Sequence, residues 1–290
     1  MSWRIVVISK SAKLDYKLDY LIVRQEEIVK VHLSEISILI VESTAVSLTA
    51  SLLSELTKRK IKVIFCDEKR NPSSELIPYY GSHDTSAKIR KQIAWSKDVK
   101  TDVWTEIVTE KIRKQRDFLK KLNKIEYKML DEYVEQVEIG DRTNREGHAA
   151  KVYFNAIFGV KFTRTSEDSI NAALNYGYGL LLSAFNREIV ANGYITQLAL
   201  FHDNMFNQFN LGSDLMEPFR ILVDKRVVKL MPEKFEHEEK IYMVDLLNQE
   251  VVIDGKNNYI NNAIKIYCKS VFDAINENDI SLIRFYKDEL

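Results

Sequence analysis

The chain has 290 residues, 46% of them hydrophobic and 29% charged, which excludes wholesale disorder. Only 9 Gly and 4 Pro exclude collagen-like and low-complexity classes. Its 42 basic and 42 acidic residues cancel, so any contact with a polyanion must come from a local patch. No apolar run approaches the ~18 residues of a membrane span. No secretory leader is read at the N-terminus. Cys66 and Cys268 alone make neither a disulfide framework nor a Cys-rich zinc site, and the cytoplasm is the expected compartment.

The first ~80 residues carry β-branched, alternating segments. Strands are expected over 3–8, 21–23, 29–33 and 36–41, with a hairpin across 9–20. Leu48, Leu52, Leu53 and Leu56 share one helical face, so 48–58 reads as a helix. A buried strand follows over 61–66 and leaves through a polar turn at 67–74. The expected unit at 1–80 is small and β-rich, of a size that suits a dimerisation surface. The polar segment 81–86 is read as a linker.

Beyond the linker the period is helical almost to the end. Helices are expected over 86–97, 102–122, 127–137, 145–157, 169–192, 214–230, 236–248 and 258–276. The fold class is therefore α+β: a β-rich N-terminal domain, then an α-helical domain at 87–290 large enough for its own core.

Charge is uneven along the chain. Residues 82–128 hold 13 basic against 7 acidic side chains. Lys111, Arg113, Lys114, Arg116, Lys120, Lys121, Lys124 and Lys128 are opposed only by Asp117 and Glu126. A solvated helix face is the ordinary meaning of such a run. The functional one is contact with phosphates, without base readout.

Two of the five histidines stand in informative contexts. His148 follows Asn144-Arg145-Glu146-Gly147. Glu146 and His148 are roughly 200° apart on a helix and do not chelate one ion together. Glu146 shares the side of Ala150 and Phe154, so its carboxylate needs a buried partner, either an Arg or a metal. His202 lies in a polar break ahead of an amide-rich run. Asp214 and Glu217 then share a face near Pro218, where a capping box is the plain reading. Taken jointly, one imidazole and two or three carboxylates suit Mg²⁺ or Mn²⁺.

These strings resemble a known family. Asn144-Arg145-Glu146-Gly147, the segment 170–178, His202 and Ser213-Asp214-Leu215-Met216-Glu217-Pro218-Phe219-Arg220 are similar to CRISPR-associated protein one, the nuclease-integrase of CRISPR adaptation. The resemblance extends over the β-rich segment 3–66. Asn207-Gln208-Phe209-Asn210-Leu211 resembles the branch that accompanies the single-protein effector nuclease of type II systems. The resemblance implies that Glu146, His202 and Glu217 ligate Mg²⁺ or Mn²⁺, with Asp214, Arg220 and His148 beside the site. It implies a homodimer joined through the β domains and assembly with CRISPR-associated protein two; the effector and accessory adaptation proteins are further candidate partners, with direct contact left open. The implied substrate is double-stranded DNA: a short fragment whose 3′-hydroxyl ends attack the CRISPR repeat by transesterification, with associated endonuclease activity. Lys111, Arg113, Lys114, Lys120, Lys121 and Lys124 are then the expected DNA contacts. Two positions depart from the pattern: Glu217 where many relatives carry Asp, and Ile221 where many carry Pro. A stand-alone metal nuclease for branched or single-stranded DNA uses the same residues, and a non-enzymatic DNA-binding scaffold uses the acids only as helix caps.

Overall fold

The computed structural model describes residues 4–78 and 82–287. Its N-terminal part holds eight strands: β1 (Arg4–Ile8), β2 (Ala12–Lys17), β3 (Tyr20–Arg24), β4 (Ile28–His32), β5 (Ile36–Val41), β6 (Val46–Leu48), β7 (Lys62–Cys66) and β8 (Pro72–Leu76). They form two four-stranded sheets, ordered β1-β5-β7-β8 and β4-β3-β2-β6. Helix α1 (Ala50–Lys58) connects β6 to β7, and Thr49 caps it by accepting from Leu52 N–H at 3.3 Å. The expected hairpin across 9–20 exists as β2 and the start of β3, turning at Leu18-Asp19 with positive φ at both.

Strand β5 is buried at all six positions because both its faces are covered. Leu39 and Val41 pack in a small core with α1 and the second sheet. Ile38 and Ile40, with Ile64 and Cys66 of β7, join the large helical core instead. The β-rich part thus shares apolar surface with the helices.

That helical part comprises α2 (Thr85–Ile93), α3 (Lys97–Lys121), α4 (Tyr127–Glu135), α5 (Arg145–Phe158), α6 (Ser169–Ala191), α7 (Asn210–Leu215), α8 (Arg220–Leu230), α9 (His237–Val244) and α10 (Ile260–Glu277). Helix α3 runs through the centre and buries Val103, Trp104, Ile107, Ile112 and Leu119. Gly177 of α6 faces α8 and α9, where an added Cβ would stand 2.7 Å from Met243 Cε, so close packing requires glycine there; Gly179 faces open space.

Several boundaries differ from the sequence expectation. The turn at 67–74 contains the edge strand β8, whose first residue is Pro72, where a missing N–H costs no ladder bond. Strand β6 is too short to be seen in the pattern. The break expected between 97 and 102 is absent, since Ser96 caps α3 by accepting from Val99 N–H at 3.2 Å. The region taken as wholly helical contains a hairpin, β9 (Glu250–Ile253) and β10 (Lys256–Tyr259), whose Asp254-Gly255 turn has positive φ at both residues. The single helix expected over 214–230 is broken into α7, a 3-10 turn at Glu217–Phe219 and α8. Gly81 of the expected linker lies outside the described residues, and α2 begins inside the linker's other end.

Candidate functional site

The first turn of α5 places Glu146. Asn144 sits in the left-handed region, with φ 53°, and its side chain caps the helix by accepting from Gly147 N–H. An added Cβ at Gly147 would come within 2.7 Å of Asn144 Oδ1, so the cap requires a glycine. Buried Asp141 accepts from Arg145 N–H at 2.7 Å and Glu146 N–H at 3.0 Å. A carboxylate at these free amide donors fixes where the Glu146 side chain leaves the backbone.

The 3-10 turn after α7 places Glu217, whose side chain is buried. Tyr286 O–H donates to Pro218 C=O at 3.1 Å and anchors the turn. Glu217 Oε1 accepts from Arg220 Nε–H at 2.9 Å. Glu217 Oε2 lies 2.5 Å from Lys111 Nζ, and Glu146 Oε1 contacts the same nitrogen. Two carboxylates, one from α5 and one from the 3-10 turn, therefore close on one buried cation. Burial favours the neutral form of Glu217, but Arg220 and Lys111 outweigh it and hold the carboxyl below its usual range. Lys111 is likewise pushed down by burial and raised by more through Glu217 and Glu146.

His202 is positioned by Asp214, which caps no helix. The fully buried Asp214 carboxylate accepts from Leu200 N–H and Phe201 N–H, each at 2.8 Å, and from His202 N–H at 3.4 Å. It also binds His202 Nδ1. Phe201 stacks on Trp104 of α3, 4.6 Å between centroids and 3° between planes, and pins the segment from the other side. The hydrogen bond to Asp214 raises the His202 pKa; burial opposes it, and Asp214, Glu217 and Glu146 add to it.

A pocket of about 220 Å³ is lined by Lys111, Gln115, Glu146, Arg164, Tyr178 and Glu217 together with Arg220 and Asp224. Tyr178 and Tyr153 both donate to the Asp224 carboxylate, the latter at 3.0 Å. Burial pushes Asp224 up to about 6, against the two tyrosine hydrogen bonds and Arg220. In the folded chain this carboxyl holds a proton between its ordinary value near 4 and about 6, so its ionisation lowers stability as pH rises through that window and not above it. Asp224→Asn is therefore expected to gain stability relative to the unsubstituted chain on going from pH 4 to 7, by ~1–3 kcal/mol. Urea titrations of both proteins at the two pH values check this; a difference independent of pH would refute it.

The expected residues thus have different fates. Glu146 and Glu217 meet, and His202 stands near enough for both to raise its pKa. Among the described residues, however, no three Asp, Glu, His or Cys side chains are gathered as an ion-holding group, and the Lys111 ammonium pairs with both carboxylates. Arg220 is at the site; His148 is exposed beside Tyr133, ring centroids 6.4 Å apart. Of the expected DNA contacts, Lys111 is buried in the ion pair, and Lys114 donates to Tyr286 C=O at 2.8 Å with its ammonium over that ring. Neither is available to a phosphate outside. Arg113, Lys120 and Lys121 are exposed; Lys124 lies past the end of α3. Lys111, Gln115, Tyr178 and Asp224 were not read from sequence as part of the site.

Residues 5–250 match the family model for CRISPR associated protein Cas1. The CRISPR-associated endonuclease Cas1 of Neisseria meningitidis serogroup C (strain 8013) is 36% identical over 232 residues, covering 79% of this chain and 76% of that protein. Among solved structures, a casposase bound to integration product is 18% identical with TM-score 0.75, covering 97% of this chain and 93% of that one. A Cas6-RT-Cas1–Cas2 complex is 17% identical with TM-score 0.77; it covers 99% of this chain, which spans 36% of that longer one. With a family model matched over most of its length and a relative above 30% identity, the chain belongs to the Cas1 family of CRISPR-associated proteins.

Proposed function

We propose that the chain is a metal-dependent DNA integrase of CRISPR adaptation, which joins 3′-hydroxyl ends of short DNA fragments to the CRISPR repeat and carries an associated endonuclease activity. The observation that carries the proposal is the meeting of Glu146 and Glu217 on one cation, with the Asp214-held imidazole of His202 beside them. The donor set fits a hard divalent ion, Mg²⁺ or Mn²⁺. Two carboxylates already share a positive charge, and a histidine held at one ring nitrogen by a carboxylate leaves the other for a metal. Glu146, Glu217 and His202 would hold the ion, which supplies Lewis acidity to a phosphodiester and to the attacking oxygen.

The chain's own residues supply the rest. Buried Glu217 pairs with the half-buried Arg220, so the guanidinium is already oriented and faces the pocket where phosphate charge develops. Asp141 and Asp214 hold Glu146 and His202 at the backbone, so the site loses little entropy on loading. No serine, cysteine or tyrosine needs to form a covalent intermediate, because the nucleophile is a DNA hydroxyl. Met205 and Phe206, 86% and 89% exposed just past His202, present apolar surface on which unstacked bases can rest.

Relatives support the partners. One neighbour is a Cas1–Cas2 assembly and another holds an integration product. For this chain we infer a homodimer, paired through the β-rich part, that assembles with CRISPR-associated protein two on double-stranded DNA. Effector and accessory adaptation proteins are further candidates for contact. No described helix is long and apolar enough to cross a membrane. The test is transfer of a labelled fragment into a repeat-bearing plasmid by the chain and purified CRISPR-associated protein two, with Mn²⁺, Mg²⁺ or chelator. Cleavage of branched DNA without any joining would favour a repair nuclease instead.

Arg113 and Lys120, seven residues apart, project from the same side of α3, and Lys121 lies next to them. Reversing all three charges is expected to weaken DNA binding and to lower the log–log salt slope by up to about 3. Binding isotherms between 50 and 200 mM salt measure the slope; an unchanged slope returns the run to an ordinary solvated face.

A further inference from the structure

The buried ammonium of Lys111 stands where a metal site's carboxylates converge, and simple pairing does not explain why one lysine serves two acids while Glu217 also has Arg220. The two acids and two bases cancel. A divalent ion added to that set without any movement would leave two uncompensated positive charges in a largely buried pocket, which is strongly unfavourable. Ammonium and metal therefore exclude each other between Glu146 and Glu217.

The structure also offers the ammonium another acceptor. Gln115 lies one turn along α3 from Lys111, lines the same pocket and is 4% exposed. Its Oε1 is buried and receives no hydrogen bond. A buried carbonyl oxygen left without a donor is costly. A lysine stem has four rotatable carbons and can carry its nitrogen the length of a helical turn.

We propose that Lys111 is the resident counter-ion of the metal site: it holds Glu146 and Glu217 together when no metal is bound, and a divalent cation displaces it towards Gln115. The proposal rests on the metal-dependent reading above. It makes Lys111 a positioning residue that sets the metal affinity.

The test is Mn²⁺ binding and thermal unfolding of the full chain, compared with Lys111→Met, Gln115→Leu and Glu217→Gln. Without metal, Lys111→Met is expected to melt about 6–12 °C lower, because two carboxylates lose their shared cation. Saturating Mn²⁺ restores the midpoint, and Mn²⁺ binds at least tenfold more tightly than to the unsubstituted chain. Gln115→Leu does not lower the metal-free midpoint, because the oxygen it removes has no donor there, and binds Mn²⁺ several-fold more weakly. The proposal is overturned if Lys111→Met binds Mn²⁺ no more tightly, or if its loss of stability, up to failure to fold, persists at saturating Mn²⁺. It is also overturned if Gln115→Leu leaves Mn²⁺ affinity unchanged. Failure of the underlying metal reading looks different: the unsubstituted chain then shows no saturable Mn²⁺ binding that Glu217→Gln removes.

Discussion

Glu217→Gln is expected to reduce strand transfer and cleavage by roughly 10²–10³-fold, because an interaction of several kcal/mol with a catalytic cation is lost. The substitution keeps shape and keeps one acceptor oxygen. Arg220 Nε–H can still donate to it as it does at 2.9 Å in the present structure. What changes is charge. The buried Lys111 and half-buried Arg220 then face Glu146 and the more distant Asp224, and the pocket has lost one negative charge. A hydrogen-bonded pair that loses its ionic component in this setting costs ~1–3 kcal/mol, well short of unfolding an ordinary domain. The expected pattern is thus a protein that melts cooperatively a few degrees lower, still binds DNA through its exposed bases, and does not join it. Retention of more than a tenth of the joining rate would remove Glu217 from the reacting centre and leave its ion pairs as purely structural.

How much of this site the sequence displays depends on where each signal resides. Asn144 to Gly147 is legible because a cap, a tight turn and the carboxylate lie within four residues, and local geometry demands each of them. The local pattern around Asp214 reads as a helix cap because its neighbour at i+3 is acidic, and only the family resemblance puts it beside the site; its partners, the amides of residues 200–202, are adjacent only in space. Lys111 hid in a run of like charges. The discriminating signal was its phase. Trp104, Ile107, Lys111, Gln115 and Leu119 recur at helical spacing on the buried face of α3, whereas Arg113 and Lys120 do not. A lysine on the apolar stripe of a basic helix calls for a buried acid, and two answered. The strands missed share another cause: β6 and β8 are short or polar at the edges of sheets, so their pairing leaves little hydrophobic alternation. The β9–β10 hairpin did carry a signal in Asp254-Gly255, outweighed by the helical period on either side.

Asp214 is the position where stability and chemistry are expected to fail together. One fully buried carboxylate answers three consecutive backbone N–H groups and the ring of His202. Asn at this position has one oxygen for those donors and turns its own N–H₂ towards the rest. At least one buried amide is then unpaired, at a cost of ~1–3 kcal/mol for each such group. A total loss of roughly 2–4 kcal/mol is expected for Asp214→Asn. Joining should fall a further 10–100-fold at full metal occupancy, because the carboxylate that orients the imidazole is gone. The pH profile separates orientation from mere destabilisation. In the unsubstituted chain the hydrogen bond to Asp214 raises the His202 pKa, so the imidazolium persists to higher pH and the neutral, ligand-competent ring is reached late. At subsaturating Mn²⁺, where proton and metal compete for the free ring nitrogen, the rise of joining with pH therefore lies at higher pH than in Asp214→Asn. Stability has the opposite sense. The imidazolium–carboxylate pair contributes fully below the unfolded-state value and is lost as pH rises through the raised folded one, so the stability gap between the two proteins narrows across that window. Joining rates at fixed Mn²⁺ from pH 5.5 to 8.5, paired with urea unfolding at the same values, measure both effects. An activity limb at the same pH in both proteins would show that Asp214 only holds the loop and does not govern the proton on His202.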